Sequence, residues 1–158
     1  MNVGAWLIWG FAATVVLTTL MAGSQAANLT RMNLPYLLGT MVTPSRDKAK
    51  VLGIVMHLVN GWVFSLVYVL AFHQLGVATW WWGATVGFVH GAFVIAVAFP
   101  ALPGIHPRMA SETRGPTVVR HLEPPGFLGR HYGMRTPVSV LLSHLVYGGI
   151  LGAFYPLG

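Results

Sequence analysis

The sequence predicts an all-α membrane protein, a four-helix transmembrane bundle made of two pseudo-symmetric helical hairpins. Three observations lead there. More than half of the residues are apolar (55%) and only 8% are charged, where a soluble globular domain has roughly a quarter charged. Every charged residue falls in one of two windows, 31–50 and 108–135. The remainder forms apolar blocks of about 20 residues, the length a helix needs to cross about 30 Å of hydrocarbon. The third observation is a repeat. His57-Leu58-Val59-Asn60-Gly61 opens a run that reaches Tyr68, and His144-Leu145-Val146-Tyr147-Gly148 opens one that reaches Tyr155, both reading H-L-V-x-G-x6-Y. Upstream, Met41-Val42-Thr43-Pro44 is echoed by Met134-Arg135-Thr136-Pro137.

The whole chain, 1–158, reads as a single transmembrane domain. The first span covers 4–22. Ser24-Gln25-Ala26 after it looks like a leader-peptidase site, but a leader begins with a basic region and none precedes this span, so it reads as a retained helix. A polar connection, 23–50, follows. Inside it Leu34-Pro35-Tyr36-Leu37-Leu38-Gly39 is too short to span and too apolar to lie free in water, which suggests a segment along the interface. The second span covers 51–72, and a short link leads to the third, 80–99. Residues 100–137 hold seven of the ten prolines and five arginines; proline removes helix hydrogen bonds, so this stretch reads as a folded-back loop. The last span is 138–155.

Charge orients the bundle. Arg31, Arg46, Lys48 and Lys50 lie in the first connection, and Arg108, Arg114, Arg120, Arg130 and Arg135 in the third, while the two ends and the middle link carry no Lys or Arg. The positive-inside rule puts both charged loops in the cytoplasm and both termini outside. Trp6, Trp9, Tyr68, Trp80, Trp81, Trp82 and Tyr155 then gather toward the outer interface, as an aromatic belt does. On this topology the sequon at Asn28-Leu29-Thr30 is a false positive. The basic balance lacks the aromatic-interleaved patches of a nucleic-acid binder, so no nucleic acid is expected. There is no cysteine, which removes disulfides and thiolate chemistry.

Positions four apart share a helix face. Gly53, His57, Gly61 and Ser65 form one such face, His144, Gly148 and Gly152 another, and Gly83, Gly87 and Gly91 a third with His90 beside it. In lipid, close helix contact depends on such small faces, so all three histidines point toward helix contacts. Several readings stay open. The plain one is a neutral histidine bonded to a neighbouring helix. A sharper one makes His57 and His144 axial ligands of haem or another tetrapyrrole, with Gly61 and Gly148 leaving room for the macrocycle. A copper or zinc site would use His57, His90 and His144. Transport of protons or a small solute is the remaining alternative, since intramembrane ionisable groups mark such paths.

In the third connection, Gly104-Ile105-His106-Pro107-Arg108-Met109-Ala110 and Glu123-Pro124-Pro125-Gly126-Phe127-Leu128-Gly129 stand out. Arg108, Arg120 and Arg130, with His106, His121 and His131, could contact anionic lipid or an acidic partner. No hydrolase elbow, phosphate loop or zinc-protease helix is present, and Ser111-Glu112 forms no catalytic triad, so an enzyme is not expected. The expected function is a non-enzymatic accessory or packing subunit, whose glycine faces suit other membrane subunits or a homo-oligomer.

The H-L-V-x-G-x6-Y and M-x-T-P segments, with His106-Pro107-Arg108-Met109-Ala110, resemble those of a group of small four-helix bacterial inner-membrane proteins of unestablished function. The resemblance covers most of the chain from about Asn33 onward. It implies a multi-pass protein of the bacterial inner membrane and carries no catalytic residue to transfer.

Overall fold

The computed structural model describes residues 1–111 and 113–157; Glu112, and with it the Ser111-Glu112 pair, lies outside the described residues. All the described elements are helical. Asn2 caps α1 (Val3–Ala26) by accepting from the Ala5 N–H. Asn33 does the same for α2 (Leu34–Val42), with Pro35 in the first turn, where a missing N–H costs nothing. The long α3 (Arg46–Leu75) ends on Gly76, whose left-handed backbone (φ 66) favours glycine. The Thr79 side chain accepts from Trp82 N–H to start α4 (Trp80–Phe93). A π-helical segment (Val94–Ala98) and α5 (Phe99–Ile105) continue it, and α6 (Thr136–Phe154) closes the chain after a 3₁₀ turn (Phe127–Tyr132). Four helical stretches, Val3–Ala26, Arg46–Leu75, Trp80–Ile105 and Thr136–Phe154, are long and apolar enough to cross a membrane.

The third of these outruns its expected end. Pro100 was expected to open the loop, yet the helix runs on through Pro100 and Pro103 to Ile105. The wide turn explains it: the Phe99 N–H reaches back five residues to the Val94 carbonyl. The α-helical pattern is therefore already broken where Pro100 arrives without an N–H. The described connection after it is correspondingly shorter than 100–137.

Glycine decides which helices touch. A Cβ on Gly83 would collide with the Gly148 carbonyl, one on Gly87 with the His144 carbonyl, and one on Gly152 with the Thr79 carbonyl. These contacts make α4–α6 the tightest seam in the chain. Gly61 of α3 instead packs on Thr14 of α1, and Gly10 of α1 on Ser65 of α3. The short α2 folds back on α3, with Gly39 on Ala49 and Gly53 on Pro35. The second and fourth spans do not pair tightly through Gly61 and Gly148: each glycine is taken by the span before it, and α3 meets α6 mainly through side chains, as where the Tyr147 hydroxyl donates to the Gly61 carbonyl. The glycine faces are filled from within the chain.

The two polar connections meet at one end. The Arg31 N–H donates to the Tyr132 carbonyl (2.7 Å), Arg31 pairs with Glu123 (3.4 Å), and the Thr30 and Thr136 hydroxyls bond at 2.7 Å. At the other end the Asn2 N–H donates to the Tyr155 hydroxyl at 2.9 Å. The two M-x-T-P threonines do different work: Thr43 follows the last turn of α2, whereas Thr136 is fully buried at the start of α6.

His106 holds α2 to the end of α5. Its ring is 1% exposed; Nε2–H donates to the Leu37 carbonyl (3.0 Å), and Nδ1 accepts the Arg108 backbone N–H (3.1 Å). The Arg108 guanidinium donates to the Thr40 carbonyl on the same helix. Burial pulls the His106 pKa below its ordinary 6.5, the Leu37 bond opposes this, and the Arg108 charge adds to it. A histidine held neutral only in the fold contributes stability above pH 6.5 and loses it as pH falls from there toward its lower folded value. Thermal melts in detergent are expected to show the wild type falling through that window and His106→Gln falling less. Parallel curves would contradict the assignment.

Candidate functional site

Three histidines from three spans come together. His57 on α3, His90 on α4 and His144 on α6 line one cavity of about 280 Å³. Most of its remaining wall is apolar, including Leu34 and Leu38 of α2, Phe64, Phe93, Phe99 and Leu102. The repeat thus delivers both of its histidines to one place, although their helices hardly pack on each other.

Each ring is tied through Nδ1. His144 Nδ1 lies 2.8 Å from the Val140 carbonyl, one turn back on its own helix. A carbonyl can only accept, so Nδ1 carries the proton and Nε2 of the neutral ring is a bare acceptor. His57 Nδ1 lies 3.0 Å from the Thr18 hydroxyl. That hydroxyl is also bonded to the Thr14 carbonyl at 2.8 Å; with its one hydrogen there, His57 Nδ1–H donates to Thr18, again leaving Nε2 bare. His90 Nδ1 meets the Tyr68 hydroxyl at 2.9 Å, and its ring stacks on Phe64 and packs edge-on against His144 with centroids 4.8 Å apart. Neither the His57 nor the His144 Nε2 has a partner among the described residues. Nor is either sealed from open space, since Trp62 Nε1 is the only sealed and unpaired polar side-chain atom described there. Both residues line the cavity.

The cavity has a side door. α3 and α4 follow one another in the chain but form no extended seam. Phe64 of α3, Phe93 of α4 and Ile105 of α5, all cavity-lining, are 46%, 52% and 68% exposed. Asn60 stands at this rim, exposed and with no side-chain hydrogen bond to a described residue. The π-helical turn borders the same space through Val94 and Ala98, and such turns recur at functional sites. No family model, curated protein or solved structure matches this chain.

The predicted site residues are distributed as follows. His57, His90 and His144 share the cavity, but among the described residues no three His, Cys, Asp or Glu side chains converge closely enough to hold a metal ion. Gly61 borders the cavity while its open side is filled by Thr14, and Gly148 lies against Gly83, away from it. No glycine slot for a macrocycle remains. Of the arginines, Arg108 is committed to Thr40, Arg120 bonds Gly115 through its Nε at 3.3 Å, and Arg130 is exposed. His131 donates from Nδ1 to the Pro124 carbonyl at 2.9 Å, and His121 lies exposed in the loop. Thr18, the aromatic wall and the π-helical turn were not singled out from the sequence. The pair Thr14 and Thr18, four apart in an apolar span, was the available signal.

Proposed function

We propose that this chain is a non-enzymatic binding protein of the membrane, taking a small ligand from the bilayer into the three-histidine cavity. One observation carries the reading: imidazoles from two helices, His57 and His144, keep Nε2 without a partner among the described residues in an otherwise apolar space, with His90 beside them. Bare polar atoms in hydrocarbon surroundings are costly unless something meets them. An apolar pocket with a few convergent polar groups is the form small-molecule sites take. The filled glycine slots favour a ligand smaller than a tetrapyrrole, and glycine faces already used within the chain remove the main support for a packing subunit. A side opening without charged residues along the spans favours binding over conduction.

We place the basic end in the cytoplasm of a bacterial inner membrane, with both termini outside, on the strength of the charge distribution and the resemblance of the repeated motifs. The hairpin symmetry gains support from packing. Gly61 meets α1 as Gly148 meets α4, whereas the symmetry is broken where α1 packs on α6 and the matching α3–α4 seam stays open. The cavity occupies the place of that open seam.

Ala98, half-buried on the cavity wall, tests the reading. Native mass spectrometry of protein released from its own membrane is expected to find a bound small molecule in the wild type and none in Ala98→Trp. Identical spectra with no bound mass in either would overturn it.

A further inference from the structure

We infer that the ligand is a hydroxyl-bearing aromatic compound dissolved in the bilayer, a phenol or quinol ring whose O–H donates to His57 or His144. The inference rests on the cavity being a binding site and adds the chemistry of what enters. Hydrogen-bond direction comes first. With both Nδ1 atoms occupied as donors, by the Val140 carbonyl and by a Thr18 hydroxyl already spent on Thr14, the two Nε2 atoms can only accept. A ligand with nothing but carbonyl or ether oxygens would face them lone pair to lone pair. A ligand with an O–H satisfies them, and its oxygen can in turn accept from the Asn60 amide at the rim.

Shape comes second. Phe64, Phe93 and Phe99 with the imidazoles make a wall of flat rings, which suits a flat ring by offset or edge contacts. The volume, about 280 Å³, sits at the lower edge of the roughly 300–1,000 Å³ usual for small-molecule pockets. One ring fits; a long tail stays outside, in the lipid beyond Phe64 and Ile105. The route comes third, for the opening lies on the side of the apolar spans, so the compound must be lipid-soluble.

The test compares 4-octylphenol with 4-octylanisole, its methyl ether, on the full chain in detergent by titration calorimetry, with empty micelles as blank. The two probes share shape and lipid solubility and differ in the donor. The phenol is expected to bind the wild type at least about ten-fold more tightly, since a buried acceptor left unmet opposes the ether. Thr18→Val, close in shape and outside the cavity lining, frees His57 to place its proton on Nε2; the phenol-to-anisole ratio is expected to fall while anisole binding holds. His57→Phe is expected to lower the ratio further. Equal binding of both probes, lost in Ala98→Trp, would overturn the donor inference and leave the cavity as a site. No binding of either probe to the wild type would overturn both.

Discussion

Leucine at Gly148 is expected to cost about 3 kcal/mol or more, the upper part of the range for overpacking a tight core. Gly148 sits on the Gly83 backbone, and a Cβ there runs into the Gly83 carbonyl and the Gly87 N–H. Backbone cannot rotate aside as a side chain can, so α4 and α6 must part over the stretch that carries Gly83, Gly87, His144 and Gly152. His90 and His144, whose rings touch across this seam, would separate with it. Reversible unfolding in mixed micelles measures the loss. Gly104→Ala is the control, because nothing lies within 4 Å of its added Cβ, and a change within about 0.5 kcal/mol is expected. Equal stability of Gly148→Leu and Gly104→Ala would contradict the seam.

Leucine at Gly53 is expected to lift α2 from α3 without unfolding the α4–α6 half. Gly53 packs on the Pro35 carbonyl, and Leu34 and Leu38 of the displaced helix form part of the cavity wall beside His57. Hydrogen exchange is expected to accelerate across residues 34–42 and stay near wild type across α6. The local cost is about 2 kcal/mol by the same overpacking argument, partly recovered because α2 can move toward water. Unchanged exchange in α2 would show that its contact with α3 is not what holds it.

Both variants fall on glycines visible from the sequence, and they mark where sequence reading stops. The i, i+4 faces were legible, because four-residue spacing defines one side of a helix whatever its neighbours are. Their partners were not: Gly61 could as well have met Gly148 as Thr14, and the choice rests on three-dimensional fit with α1. The repeated H-L-V-x-G-x6-Y motif drew attention to His57 and His144, and both line one cavity. It hid the role of Thr18, which belongs to the span without a matching motif. Pro100 and Pro103 read as a break because proline usually ends a helix, and only the five-residue turn at Phe99 reconciles them with a longer span. His106 looked like one of several loop histidines; its burial under α2 depends on a contact between residues 37 and 106 that no local pattern announces.

The proposed site requires that His57 and His144 keep their protons on Nδ1 and offer bare Nε2 atoms to a shared cavity. Nitrogen NMR of histidine-labelled protein in lipid nanodiscs reads this directly, with His57→Phe and His144→Phe assigning the signals. A protonated Nδ1 and an unprotonated Nε2 are expected for both rings, with the Nε2 signals moving when 4-octylphenol is added. A protonated Nε2 on either ring, or Nε2 signals that ignore the phenol, would contradict it.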